Sequence, residues 1–455
     1  MIAMAHNLGL LWPEITVLVT AAVALVFEML RSPRGALAIT VAGLLAATGL
    51  ALPRLGLDAT VFGGTWRVDA LSVWAELILL PATALSALLV RVELRGSDRE
   101  GTVYALLGLT AFGALALAAS GDLMLLILGL VLTGLGSIAL VATPRDDRAT
   151  EAAMKFFVFG SVSGAVMIFG LSYWYGAAGT TLLSGLGRLE HLPLAAALGL
   201  AGVLVGLGYE ASLAPFHFWA PDAYDGAPVA VAAYLSVVPK IGALFALAQV
   251  VRGLPGAAAW QAGLAALAAL SMTWGTLAAL GQRNVVRLLA YSSIAQAGYF
   301  LLGILAVGTS RLAVPSLVLF AAAYAAMNLG AFTLTLATGR DIEAFAGLGR
   351  NDAFAGIAMI VFLLSLTGIP PLGGFTGKAL LFGAALDAHY LWLAIVAVLN
   401  SVLSLAVYLR IVIPMYGPGR ATAARSPLAR TSWLLALAAT LALGLAAQGV
   451  LARLT

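Results

Sequence analysis

The sequence has no cysteine. Disulfides are excluded, and so is an iron–sulfur cluster held by the chain's own thiolates. Histidine is scarce: His6, His191, His217 and His389 stand far apart, without metal-ligand spacing. Charge is scarce too. Only 10% of residues are charged against 62% hydrophobic, and the +4 balance is spread too thinly to hold nucleic acid. No Walker string, no dinucleotide-binding glycine pattern after a strand and no nucleophile elbow occurs. Any redox chemistry linked to this chain has to sit on a partner.

What is present is apolar. A mean hydropathy of +1.03 over 455 residues is more than a soluble domain can hide, so the class is an all-α polytopic membrane protein. Runs of about 20 apolar residues predict about fourteen crossings: 10–30, 35–53, 69–90, 102–119, 122–142, 152–176, 193–213, 228–250, 260–281, 286–308, 312–337, 353–369 continuing after a break to 388, 391–414 and 430–451. The first reads as a retained span, since no basic leader precedes it. No loop is long enough for a soluble domain, so the chain is a single membrane domain.

Loops on one side carry Arg31, Arg34, Arg91, Arg95, Arg99, Arg145, Arg148, Arg283, Arg340, Arg350, Arg420, Arg425 and Arg430. The alternate loops carry only Arg54, Arg67, Arg188, Arg252 and Arg311. Cytoplasmic loops are the cation-rich ones, which places both termini on the outer side of a bacterial inner membrane.

Lysine behaves differently from arginine here. Lys155, Lys240 and Lys378 are the only lysines, and each falls within an expected span. A charge at bilayer depth costs about 2.5–3.5 kcal/mol on insertion scales, so it marks a pathway or a pair. Lysine can release its proton when desolvated, whereas arginine effectively cannot. Glu210 and His217 lie near Lys240 in sequence and complete a candidate proton relay. Two readings of Lys155 are open, relay or a side chain snorkelling to the nearby interface. Asp387 and His389 form a candidate exit, or an interfacial pair. Glu14, Glu28, Asp69, Glu76 and Asp122 fall near span ends, where water is at hand, and are assigned no chemistry. The cluster Tyr173-Trp174-Tyr175 reads as an interface belt.

Proline and glycine interrupt two spans, over 212–222 and over 368–378. Aligning Pro215 with Pro371 sets Trp219 against Phe375 and Asp222 against Lys378. The two spans are five crossings apart and run in opposite directions. Matched interruptions of this kind point to two inverted five-helix repeats, each with a broken helix, meeting at a site in mid-membrane. The organisation expected is N-terminal helices over 1–119, a first repeat region over 120–250, a second over 260–415, and a loop with the last helix over 416–455.

The strings Glu151-Ala152-Ala153-Met154-Lys155-Phe156-Phe157, LAPFHFWAPDAYDGAPV at 213–229, Arg287-Leu288-Leu289-Ala290-Tyr291-Ser292-Ser293-Ile294-Ala295 and GIPPLGGFTGK at 368–378 resemble the antiporter-like membrane subunits of respiratory complex I. PFHFWAPD points to the N-type branch over the L- and M-type branches. The resemblance implies a proton path along a hydrated mid-membrane axis, coupled to quinone reduction elsewhere. Lys240 would be its central relay and Lys378 the lysine of the second broken helix, with His217 beside the first break. It also implies K-, M- and L-type partners in the membrane lipid, with FMN, iron–sulfur clusters and quinone on partner subunits and no cofactor in this chain. Three departures stand out. The glutamate usual in the fifth span is Val131, and the lysine usual in the seventh is Glu210; the histidine usual after Ser-Ile-Ala is Gln296. Either the ion pair is rearranged, with Glu210 partnering Lys240 or Lys155, or the route is lost and the subunit is scaffold. An Mrp-type antiporter and the membrane arm of an energy-converting hydrogenase are the competing classes.

Overall fold

The computed structural model describes residues 7–254, 259–424, 426–445, 447 and 449. His6, Arg425 and the end of the span expected over 430–451 lie outside these. The labelled helices are α1 (Trp12–Met29), α2 (Pro33–Ala51), α3 (Ala70–Glu93), α4 (Glu100–Ala118), α5 (Leu123–Val141), α6 (Asp147–Ala178), α7 (Pro193–Glu210) and the short α8 (Trp219–Gly226). They continue as α9 (Val229–Gly253), α10 (Ala259–Leu280), α11 (Val285–Leu305), α12 (Ala313–Thr338), α13 (Ala353–Thr367), α14 (Gly373–Asp387), α15 (Leu391–Tyr416) and α16 (Pro427–Leu445). Among the described residues, thirteen of these are long and apolar enough to cross a membrane. The expected broken span over 353–388 is two half-length helices, α13 and α14, of 15 residues each. A two-stranded ribbon, Ala59–Val61 with Trp66–Val68, closes the α2–α3 turn.

Side chains in the connections set where helices start. Asp69 and Ser72 form a reciprocal capping box on α3, and Asp122, Asp146, Asn284 and Asp352 accept from the first turns of α5, α6, α11 and α13. Such caps satisfy amides that have no partner inside the helix. Asp122 therefore has a structural task. The start of α9 is capped from far away: the Glu93 carboxylate at the end of α3 accepts from the amides of Val229 and Ala230 at 2.9 and 2.7 Å.

Burial is concentric. Every residue of α9 from Val229 to Val251 is buried, and α11 is buried from Ser292 onward. The outer helices α5, α6 and α15 expose large apolar side chains such as Leu135, Phe169 and Val402, as a surface in contact with lipid or other membrane helices must.

Of the five acids read as lying at wet span ends, Glu28 is half-buried and the other four are dry. Glu14, Asp69 and Glu76 are 2%, 5% and 1% exposed. Arg54 lies between Glu14, at 3.1 Å, and Glu76, at 2.9 Å. Asp69 is held by Arg252 at 2.7 Å and by Gln249. Ribbon and helix ends fold over these groups, and pairing makes their burial tolerable. Of the aromatic belt, Tyr173 and Tyr175 are exposed, but Trp174 is buried and donates to the Ala196 carbonyl.

Candidate functional site

The two breaks solve the same backbone problem. Where a helix stops inside a membrane, its last carbonyls and amides need partners from the protein. At the first break the Trp219 indole donates to the Tyr209 carbonyl at 2.8 Å, and the Ala214 amide donates to Ser271 Oγ at 3.0 Å. At the second, α13 ends on Gly368 with φ +94°, a left-handed cap that favours glycine. A Cβ at Gly368 would also lie 2.9 Å from the Lys378 side chain, which passes over it. The peptide bonds Ala214–Pro215 and Pro370–Pro371 are both cis.

Lys378 uses what the second break leaves over. Its Nζ donates to the carbonyls of Leu366 at 2.8 Å and Thr367 at 3.1 Å, and to Ser401 Oγ at 3.3 Å. The Tyr299 ring faces it at 4.0 Å. An ammonium at the carbonyl end of a half-helix meets the negative end of the helix dipole, and the ring face adds to this. Lys378 thus has carbonyl solvation and, among the described residues, no carboxylate.

Lys240 sits mid-way along the buried α9, just after Pro239, which withholds an N–H from the Leu235 carbonyl. Its Nζ donates to Ser293 Oγ, and the Tyr224 ring lies 5.3 Å away. One turn earlier, Ser236 accepts from Tyr324 at its carbonyl and from Asn328 at its hydroxyl.

One helix joins the two lysines. On α11, Ser293 holds Lys240, and Gln296 donates to the same Leu366 carbonyl that holds Lys378, at 3.0 Å. Residues three apart on a helix are neighbours, about 5–6 Å between Cβ atoms. A small cavity of about 10 Å³ opens beside them, lined by Ser292, Gln296, Tyr299 and Tyr408 together with Ala295 and Val407. That is roughly the space one water needs. Gln296 Oε1 has no protein partner there, and Ser292 bonds Tyr408 at 2.6 Å. Ser293, Gln296 and the Leu366 carbonyl are thus polar groups placed between Lys240 and Lys378.

The other expected site residues fall elsewhere. Glu210, 1% exposed, makes no ion pair among the described residues, and its Oε1 is without a partner. The expected pairing with Lys240 or Lys155 does not occur, because Glu210 lines a cleft between α5, α6 and α7, the same cleft that Val131 lines. His217 accepts the Trp274 indole N–H at Nε2, 2.7 Å, at the edge of the first break. Lys155 is half-exposed, bonded to Glu151 at 2.8 Å and Asp222 at 3.0 Å. Asp387 accepts from Ser310 at 2.6 Å, and it and His389 are exposed at the far end of α14, nine residues beyond Lys378.

The short α8 ties these parts together in a way the sequence reading missed. Asp222 is shared by Lys155 and by Arg287 at 2.9 Å, and Asp225 pairs with Arg148. Tyr224, between them in sequence, faces Lys240. The two aspartates three apart beside an aromatic were the available signal. Among the described residues no group of three His, Asp or Glu side chains gathers as a metal site would.

Fold and site define a multi-pass membrane protein in which single buried lysines are lodged beside broken helices. Residues 120–404 match the family described as NADH:quinone oxidoreductase/Mrp antiporter, TM. A protein named NADH-quinone oxidoreductase subunit N from Mycobacterium sp. (strain JLS) is 39% identical over 405 residues, 87% of this chain and 86% of its own length. A subunit N 1 from Streptomyces griseus is 38% identical over 457 residues, 96% of each chain. Among solved structures, a chain of Thermus thermophilus respiratory complex I with bound aureothin superposes with a TM-score of 0.86 at 33% identity. That match covers 97% of this chain and 99% of that one. A chain of the Mrp complex from a Dietzia species gives 0.86 at 21% identity, covering 98% and 96%, a likeness of fold alone. The chain belongs to the NADH:quinone oxidoreductase/Mrp antiporter membrane family.

Proposed function

We propose that this chain is the N-type, proton-translocating membrane-arm subunit of a complex I-like NADH:quinone oxidoreductase. The observation that carries the reading is the polar line of α11: Lys240, Ser293, Gln296, the Leu366 carbonyl and Lys378 follow one another through the buried centre. Lys240 is the central relay and Lys378 the next station. Lys155 and His217 lie toward the arginine-rich side, Glu210 faces a neighbour, and Asp387 with His389 forms the outward end. Identity with curated subunit N proteins over most of the chain favours this reading over an antiporter or a hydrogenase arm.

Several finer parts belong to the same proposal. The regions 120–250 and 260–415 are inverted repeats; the break after α7 and the break between α13 and α14 are their counterparts. The chain sits in a bacterial inner membrane with both termini outside, beside K-, M- and L-type subunits and lipid. FMN, iron–sulfur clusters and quinone are carried by partners.

The test is made in the assembled complex in inverted membrane vesicles. Lys240→Met and Lys378→Met are expected to abolish NADH-driven proton uptake while the complex still assembles. Uptake at the wild-type ratio to NADH oxidation in both variants rejects the relay and leaves a scaffold.

A further inference from the structure

Glu210 ends α7 with a carboxyl oxygen that no described residue of this chain satisfies. It lies at the floor of a cleft of about 290 Å³, walled by Val131, Gly134, Leu135, Gly160, Gly164 and Tyr209 among others. The cleft opens on the outside of the bundle, where its lining residues Val131, Leu135, Phe157 and Ile168 are 45–55% exposed. A carboxyl under an apolar, outward-facing cleft is costly unless something outside the chain completes it.

Two glycines say what shape that something has. A Cβ at Gly164 would meet nothing within 4 Å, and one at Gly134 would meet only Glu210 Oε2 at 3.8 Å. Both lie inside helices, where glycine costs about 1 kcal/mol relative to alanine. This chain's own packing does not call for them. Close approach by a second helix does, since small residues let helix backbones meet in a membrane.

We propose that the cleft seats a transmembrane helix of a neighbouring membrane subunit, and that this helix sets a lysine or arginine side chain against Glu210. The proposal rests on the reading above for the existence of neighbours and goes beyond it in naming the surface and the complementary charge. A lipid acyl chain would fill the volume and leave the carboxyl oxygen unpaired. A lysine or arginine stem is apolar enough to cross the cleft wall and carries its donor to the carboxylate.

The chain's lack of cysteine makes the test direct. Leu135→Cys and Gly164→Cys each place a single thiol in the cleft, to be loaded with a thiol-linked photo-crosslinker in native membranes holding the whole complex. Both are expected to join this chain to one other membrane subunit, through a hydrophobic segment that contains a lysine or arginine. Glu210→Leu is expected to lower recovery of that subunit by roughly thirty-fold, as for loss of one partner of a buried charge pair. Crosslinking only to lipid, to a second copy of this chain or to a segment without a basic residue overturns the proposal, and so does unchanged recovery with Glu210→Leu. If those negative results come while the other subunits still co-purify, the docking site falls and the proposed function stands. If no other subunit co-purifies, both fall.

Discussion

Buried charge is treated in two ways in this molecule. In the N-terminal helices each buried acid has a base against it: Arg54 serves Glu14 and Glu76, Arg252 serves Asp69, and Arg91 serves Glu100. In the central helices Lys240, Lys378 and Glu210 are no less buried, yet none forms an ion pair among the described residues. The partners of the two lysines are hydroxyls, carbonyls and ring faces, whereas Glu210 Oε1 has none among the described residues and faces the outer cleft. A paired charge is fastened, because moving its proton breaks the pair and strands the other charge. A single charge among neutral dipoles can be exchanged without breaking an ion pair. The difference separates charge that holds helices together from charge that can be passed on.

Arg54→Met should break the fastened set most severely. It strands two carboxylates, and removing one partner of a buried pair costs about 3–5 kcal/mol. The expected outcome is loss of this chain from the assembled complex, read by native electrophoresis and thermal unfolding. If assembly survives with an unchanged melting temperature, the N-terminal pairs do not fasten the fold.

Lys240→Met tests the other set and should give the opposite split. Replacing an unpaired buried ammonium by an apolar side chain of similar length removes a desolvation penalty, so assembly and melting temperature should hold or rise. Proton uptake should fall to background. A variant that loses stability and uptake together would put Lys240 in the same class as Arg54.

Ser293→Ala sharpens the comparison at smaller scale. It removes the hydroxyl that receives the Lys240 ammonium, and a hydrogen bond to a charged group contributes about 1.5–3 kcal/mol. Gln296 and the Leu366 carbonyl remain in place, so uptake should drop roughly ten-fold without being abolished. Ser236→Ala, one turn away on α9, should have less effect, because its hydroxyl meets Asn328 and not a lysine.

How much of this was readable beforehand follows from how local each signal is. Lys240 and Lys378 announce themselves as lysines inside apolar runs, and Pro215, Gly368 and Pro371 mark the breaks within a few residues. Partnerships across long sequence separations do not show. Arg54 joins Glu14 and Glu76 from forty and twenty-two residues away, and Glu93 reaches the start of α9 from a different helix. Sequence read Glu14 and Glu76 as acids near span ends; it could not tell that the ribbon's Val61, Trp66 and Val68 pack with Leu11, Ile15, Val73 and Leu77, their neighbours in sequence. Glu210 was recognised as an acid in place of a base, but the direction of its side chain depends on helix rotation, which hydropathy in an apolar helix does not fix.

Lys155 is where the two sequence readings, relay and snorkelling side chain, divide, and its variant should have the smallest effect. The helix that carries it, α6, has 32 residues, about 48 Å at 1.5 Å per residue, against an apolar slab of about 30 Å. The helix must tilt or project, and Lys155 is the ninth residue of it, beside the exposed Glu151. There it shares Asp222 with Arg287, while Glu151 sits one turn behind. Lys155→Ala leaves Arg287 on Asp222, so α8 stays tethered and Tyr224 keeps its place beside Lys240. Exposed pairs of this kind contribute little, and proton uptake should stay within about a factor of two of wild type. Arg287→Ala removes the more enclosed tether and should cost more. A loss with Lys155→Ala as deep as with Lys240→Met would show that a half-exposed, paired lysine can carry the relay, and burial without a counter-charge would no longer distinguish the working lysines from the rest.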